Sequence, residues 1–374
     1  MISETKRNTI YSKCRDDQFN EIVNCLNKFT IYNNLKSLVA HGDSLELLKL
    51  MPDHSVSLIL TDPPYHSTKK DNITNDTAFD TDAAFLSWMG KFFQEWKRVL
   101  RPNGSIFVFC SSTMSAKLEV MMEKSFNVLS HVVWTKPNDP GFDGWKGKMK
   151  KEALRQWYAH SERILFAEPA VEGNLKRSWF GQFLRQKRVE AGLSGHKLTE
   201  LTGSYGKVNH GGAVSNWETG RNIPSKEQYD KICEAIFSTG KIDQMPIYED
   251  VIRPFEVNAF VEFTDVWNFN SVRPYKGKHP AEKPLDMLEH CILSTTFEND
   301  IVLDCFSGSG STAIAALNLN RKNISFEIEI DWVNTIADRI KNHSHELINI
   351  VSRKHDIMKV NGKKNSEKQP SLFI

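Results

Sequence analysis

Two short stretches of this 374-residue chain hold residue types at spacings that can do chemistry. The first is Asp62-Pro63-Pro64-Tyr65, just after the apolar run 56–60. Two prolines fix φ and remove two backbone donors, so the turn is stiff and presents acceptors only. The Asp62 carboxylate and the Pro63 carbonyl can each accept one hydrogen from an exocyclic NH₂ group. Such a pair draws electron density toward nitrogen and orients its lone pair for in-line attack on a methyl sulfonium, where positioning does most of the work. Tyr65 adds a ring face on which a planar base can stack.

The second stretch is Asp304-Cys305-Phe306-Ser307-Gly308-Ser309-Gly310-Ser311-Thr312, which follows one apolar run and opens a helical one. Glycines there let the backbone pass close to a ligand and free amides at a helix N-terminus. Glu327 closes the next strand pattern, 17 residues past Gly310. A carboxylate at that place can accept hydrogen bonds from both ribose hydroxyls of a nucleoside. Phe306 stands where the dinucleotide fingerprint has its first glycine. The turn therefore fits a cofactor with an adenosine but no pyrophosphate, S-adenosylmethionine rather than NAD.

These residues need strands that end at a common edge. Apolar runs at 56–60, 105–109, 128–134, 301–304 and 323–327 read as strands, and 83–100 and 284–296 as helices, with a further helix over 16–29. Pro102-Asn103-Gly104 reads as a turn. Strands alternating with helices at this pitch predict an α/β fold with a largely parallel sheet. Between 136 and 277 the alternation breaks into loops, short helices and a basic segment.

A hydrophobic fraction of 40% provides for a real core and excludes a mainly disordered, collagenous or disulfide-stapled protein. The six cysteines form no C-x-x-C pair, so they predict no metal site and no disulfide framework but reduced thiols, mostly buried. The N-terminus lacks the apolar core of a signal peptide and no run reaches a membrane span, which predicts a soluble cytoplasmic protein.

On these motifs the chain resembles the β class of amino DNA methyltransferases, in which the catalytic tetrapeptide precedes the cofactor turn. The resemblance covers roughly 36–135 and 265–345 and extends to further segments. Val39-Ala40-His41-Gly42-Asp43-Ser44 is similar to the segment that holds the cofactor's adenine, which assigns that role to Asp43. His279-Pro280-Ala281-Glu282-Lys283-Pro284 is similar to the segment that closes over the methionine half. The family usually has Thr-Gln where this chain has Ala281-Glu282, which leaves Lys283 and Pro284 as the matched positions. Arg98-Val99-Leu100-Arg101-Pro102-Asn103-Gly104 and His160-Ser161-Glu162-Arg163-Ile164-Leu165 also fit the family layout.

The resemblance implies a Rossmann-like methyltransferase sheet with helices on both faces and a circularly permuted motif order. It implies site-specific methyl transfer from S-adenosylmethionine to a base flipped out of duplex DNA, because a stacked base cannot reach the sulfonium. Aspartate at the first tetrapeptide position is more typical of adenine-N6 enzymes and serine of cytosine-N4 enzymes, so Asp62 favours adenine N6, with cytosine N4 the alternative. Asp304, Phe306, Ser307, Gly308, Gly310, Ser311 and Glu327 complete the expected cofactor set.

Residues 180–237 read unlike the rest, as short helices broken by Gly192 and Gly203. This insert resembles the helix-turn-helix domain of phage repressors of the Cro type, whose third helix enters the major groove. That assigns base reading to Ser215 and Asn216, a phosphate to Arg221, and the core to Val214 and Trp217. The turn before that helix is about five residues longer than in the pattern. Another function class is open here, a DNA-binding regulator on a methyltransferase scaffold. Upstream, Lys146, Lys148, Lys150, Lys151 and Arg155 cluster between Trp145 and Trp157, a composition suited to DNA. The last residues, with Gln369, Leu372 and Phe373, resemble the peptide by which bacterial DNA-processing proteins dock on the replicative sliding clamp.

The net charge of +2 hides an uneven distribution. Residues 176–237 hold ten Lys and Arg against six Asp and Glu, and 353–374 hold six against two, so the remainder is acidic. Positive charge confined to appendages is the footprint of a DNA binder. The expected organisation is an N-terminal helical extension (1–35), a catalytic half (36–135), a target-recognition region (136–265) containing the insert, a cofactor-binding half (266–351) and a flexible basic tail (352–374). A nucleoid location and a homodimer are further expectations of the family.

Overall fold

A computed structural model of the chain describes residues 4–66, 79–136, 160–171, 178–205, 212–257, 263–273 and 275–343, with single residues at 152, 155 and 157. Helix α1 (Glu4–Cys25) buries Tyr11, Arg15, Phe19 and Ile22, a stripe at helical spacing. It starts earlier and ends sooner than the expected 16–29, because the chain then enters an edge strand, β1 (Thr30–Asn33), antiparallel to β2 (Ser37–His41). Cys14 and Cys25 fall off the buried stripe and are exposed, which corrects the expectation of mostly buried thiols; Cys110, Cys291 and Cys305 are buried.

The body continues through α2 (Ser44–Leu50), β3 (Val56–Thr61), α3 (Asp82–Val99), β4 (Leu100–Cys110), α4 (Ser115–Met122) and β5 (Phe126–Thr135). Strand β3 is buried along its whole length, which explains its unbroken apolar run. Helix α3 starts at Thr81, whose side chain accepts from the Ala84 amide at 3.2 Å, and turns Phe85, Met89, Phe92, Phe93, Trp96 and Val99 into the core. Each such side chain contributes about 1.5–3 kcal/mol by leaving water.

Two expectations need correction. Pro102-Asn103-Gly104 is no turn between elements: it lies inside β4, where Val56 pairs with Leu100 but Leu58 already pairs with Ser105. The extra residues bulge out, and Gly104 is required because a Cβ would come within 2.9 Å of the Ser57 carbonyl. Nor is 136–277 only loops and short helices. It contains β6 (Ser161–Pro169), antiparallel to both β4 and β5, so a core strand lies inside the stretch assigned to target recognition. Its polar first residues, Ser161-Glu162-Arg163, mask the apolar run behind them.

Helices α5 (Trp179–Glu190), α6 (Gly195–Thr202), α7 (Ala213–Glu218), α8 (Lys226–Phe237) and α9 (Tyr248–Val251) surround their own core of Phe180, Leu184, Leu198, Val214, Trp217 and Ile232. The chain returns through β7 (Val266–Asn268), α10 (Leu285–Thr295), β8 (Ile301–Asp304), α11 (Ser311–Asn318) and β9 (Lys322–Glu327), and ends its described part in a helix over 330–343. Among the described residues the sheet has nine strands in the order β1-β2-β9-β8-β3-β4-β6-β5-β7. The stretch from β2 to β4 is parallel. The crossover from β3 leads to β4 and that from β8 leads to β9, in opposite directions, so the order reverses between β3 and β8. Open sheets hold ligands beyond the carboxyl ends of the strands at such a point. Among the described residues no helix is long and apolar enough to cross a membrane.

Candidate active site

A cavity of about 900 Å³ opens at that switch point, lined by Asp62, Tyr65, Phe306, Gly308, Lys283 and Glu327 among others. The two motifs, about 240 residues apart in sequence, thus face one space because β3 and β8 are hydrogen-bonded neighbours.

On the β3 side, Asp62 follows the last residue of the strand. Its Oδ2 takes an ion pair with the Lys283 ammonium, while Oδ1 is buried with no hydrogen-bond partner among the described residues. The Tyr65 hydroxyl donates to Glu162 Oε2 at 2.8 Å. Lys283 lies 3.6 Å from that same oxygen and 5.3 Å from the centre of the Tyr65 ring. Lys136 pairs with the other oxygen of Glu162. Two carboxylates and two ammonium groups therefore alternate along one wall.

Burial pushes the Asp62 carboxyl up, further than the Lys283 charge pulls it down, and Glu162 adds to the rise. Burial also acts on Glu162, but Lys283 and Lys136 outweigh it and hold that group at about 2. For Lys283 burial is outweighed by Asp62 and Glu162, so the ammonium is held above its usual range. Burial likewise keeps Tyr65 a neutral phenol.

On the β8 side, Asp304 Oδ1 accepts from Thr61 at 2.9 Å and from the Phe306 amide at 3.1 Å, which fixes the start of the turn. Burial raises the Asp304 carboxyl to about 6. Gly308 and Gly310 have φ of +46° and +79°, a region other residues rarely enter. A Cβ on Gly308 would lie 3.0 Å from the His279 ring. Glu327 spans the turn: Oε2 accepts from the Gly308 amide at 2.8 Å and Oε1 from Ile328 and Glu329. Phe306 joins Trp88 and Phe92, with ring centres 5.8 and 5.2 Å away. Asp43 caps α2 through Oδ1, accepting from Leu45 and Glu46, and lines the cavity.

This wall fits a nucleoside cofactor with a short chain. The glycine turn runs at positive φ along the cavity with His279 close over Gly308, a carboxylate stands at its rim, and the aromatic rings give an apolar face. Ser307 and Ser311 also line the cavity. Two expected residues stand behind the wall instead. Gly310 caps α11, with Ile336 3.0 Å from where its Cβ would be, and Pro284 is buried at the start of α10. Lys283 turns to the tetrapeptide, whereas Glu282 meets Ser311, Tyr275 and Arg339. Among the described residues no group of His, Cys, Asp and Glu could hold a metal ion.

Glu162 and Lys136 complete the site although the motifs give them no role. The only signal in the sequence is a glutamate and a lysine at the open ends of β6 and β5, which becomes readable once those strands are known to pair. In the insert, Val214 and Trp217 are buried, Ser215 is exposed on α7, Asn216 is half-buried, and Arg221 is exposed just beyond. Arg188 pairs with Glu218 and ties α5 to α7. Arg155 and Trp157 are exposed. Trp145, Lys146, Lys148, Lys150 and Lys151 lie outside the described residues, as do Gln369, Leu372 and Phe373.

A family profile described as DNA methylase matches residues 56–338 of the chain. The chain is similar to the Type II methyltransferase M.BglII of Bacillus subtilis, 27% identical over 79% of this chain and 66% of that protein. It is also similar to the DNA adenine methyltransferase YhdJ of Escherichia coli (strain K12), 26% identical over 87% of this chain and 91% of that protein. Among solved structures, a PvuII DNA methyltransferase described as cytosine-N4-specific aligns with 86% of this chain and 95% of its own, at a TM-score of 0.48 and 18% identity.

Proposed function

The chain belongs to the DNA methylase family, and from that premise we propose that it transfers a methyl group from S-adenosylmethionine to N6 of an adenine flipped out of duplex DNA. The observation that carries this reading is Asp62: one oxygen tied to Lys283, the other buried and unpartnered, in the cavity that also holds the glycine turn. A buried acceptor without a donor costs about 1–3 kcal/mol, which an incoming amino group offsets.

The cofactor supplies an electrophilic methyl on a good leaving group, and the chain supplies position and polarity. Glu327 accepts from the ribose and, through Gly308, keeps the turn open. Asp43 holds the adenine side, and Trp88, Phe92 and Phe306 give the apolar face. Asp62 and the Pro63 carbonyl accept the two amino hydrogens and orient the nitrogen lone pair, and Tyr65, steadied by Glu162, stacks on the base. Ser215, Asn216 and Arg221 are assigned to DNA, with the insert as a reader of the target, and the tail to a sliding clamp; the protein working as a homodimer belongs to the same reading.

Incubation with duplex DNA and methyl-labelled S-adenosylmethionine, followed by digestion to nucleosides, tests the assignment. Label is expected in N6-methyldeoxyadenosine. Label in N4-methyldeoxycytidine overturns the choice of base, and DNA without label overturns the activity.

A further inference from the structure

The two oxygens of Asp62 are not equivalent. Oδ2 is held by the Lys283 ammonium, and Oδ1 has no hydrogen-bond partner among the described residues although it is buried. Lys283 itself comes from 221 residues away, is 8% exposed, and lies between Asp62 and Glu162 with the Tyr65 and Phe109 rings about it, 5.3 and 5.2 Å from their centres. A cation so enclosed fixes the carboxylate it touches. Its own freedom is limited in turn by Glu162, which is anchored by Tyr65 and Lys136.

We propose that Lys283 is a positioning residue for the transfer: it clamps Asp62 through Oδ2 so that Oδ1 is reserved for the substrate amino group, and Glu162 sets how firmly it does so. The inference rests on the amino-transfer reading above and assigns Lys283 to the nucleophile side of the cavity rather than to the cofactor. In the step it serves, the amino nitrogen forms the new N–C bond as the C–S bond breaks with its electron pair going to sulfur. One amino hydrogen then leaves as a proton to solvent water. Asp62 must be a carboxylate to accept that hydrogen throughout, so its charge state limits the rate on the acid side.

The groups that face Asp62 fix the sign of each substitution. Lys283, ahead of α10, favours its charged form, as does the neutral Tyr65 hydroxyl in the same turn; Glu162 on β6 opposes it; Cys110 at the end of β4 and Asp304 at the end of β8 also feel its charge. Removing the ammonium in Lys283→Met leaves burial and Glu162 unopposed, so the acid limb of the kcat profile moves to higher pH. Removing the opposing charge in Glu162→Gln moves that limb to lower pH. A merely structural pair would shift neither.

The experiment is methyl transfer to duplex DNA by the full chain and these variants across pH, with S-adenosylmethionine affinity measured separately by calorimetry. Lys283→Met is expected to lose about 100-fold or more in kcat near neutral pH while cofactor affinity changes less than about threefold, and Lys283→Arg to bring the limb back toward wild type. Coincident acid limbs in active wild type and Lys283→Met, or a fall in cofactor affinity that matches the loss of rate, overturn the proposal. Should Lys283→Met fail to fold, Glu162→Gln decides alone: an unmoved or raised limb overturns it. A wild-type chain that methylates no DNA defeats the underlying reading instead, and the clamp with it.

Discussion

In the proposed transfer, Asp62 is the residue on which the chemistry turns. Its acceptor function needs a charged oxygen, so Asp62→Asn is expected to reduce kcat about 10³-fold, the scale of losing one well-placed polar group in a closed site. Cofactor affinity, read by calorimetry, should stay within about threefold, because the glycine turn and Glu327 are untouched. The tetrapeptide and the turn were legible in the sequence because each is local: a few adjacent residues carry both the geometry and the chemistry. Glu162 and Lys283 were not legible in their roles. Tyr65 and Glu162 are 97 residues apart and Asp62 and Lys283 are 221 apart, and only strand pairing brings them together. Glu282 shows the same limit, since its place at Ser311, Tyr275 and Arg339 follows from packing rather than from the motif.

At the scale of elements, the sheet is tied to α9, which packs on the core of the helical insert, by a network of largely buried charges. Arg15 on α1 reaches Asp300 at 3.1 Å and Asp250 at 2.6 Å, Arg101 in β4 reaches Asp250 at 2.7 Å, and Asn103 donates to carbonyls of Glu249 and Ile252 around α9. Asp300 also accepts from Tyr11 and Ser57. Arg15→Ala leaves the buried Asp300 with only the more distant Arg101 guanidinium, 4.0 Å away, and is expected to cost about 3 kcal/mol, measured by denaturant unfolding. The bulge at 102–104 is thus a docking point for α9, which packs on the insert's core, and a proline-glycine turn signal cannot distinguish it from a simple turn. Helix α3 was legible because its apolar spacing has a single reading, whereas β6 was hidden by its charged end. On α7, Ser215→Ala and Asn216→Ala are expected to relax the methylated sequence at one position each, by about 1–3 kcal/mol of discrimination, with folding unchanged. Methylation of an oligonucleotide library would measure it.

The whole molecule explains why an overall charge of +2 is a poor guide. The excess positive charge lies in 176–237 and 353–374, and the body that holds the cavity is acidic. The family match over 56–338 spans both motifs and everything between them, so the insert lies inside the catalytic body rather than at its end. On the proposed reading the insert reads the target from within that body, which brings DNA recognition and the cavity onto one scaffold. The order of the motifs also follows at this scale: a sheet places its ligands by strand neighbours and not by sequence order, so a tetrapeptide far ahead of the turn still faces it. Base-resolution sequencing of modified positions, in DNA from a host that expresses the chain, tests the central claim most directly. N6-methyladenine is expected at one recurring sequence, lost with Asp62→Asn; modified cytosines there, or no new modification at all, would overturn the proposed transfer.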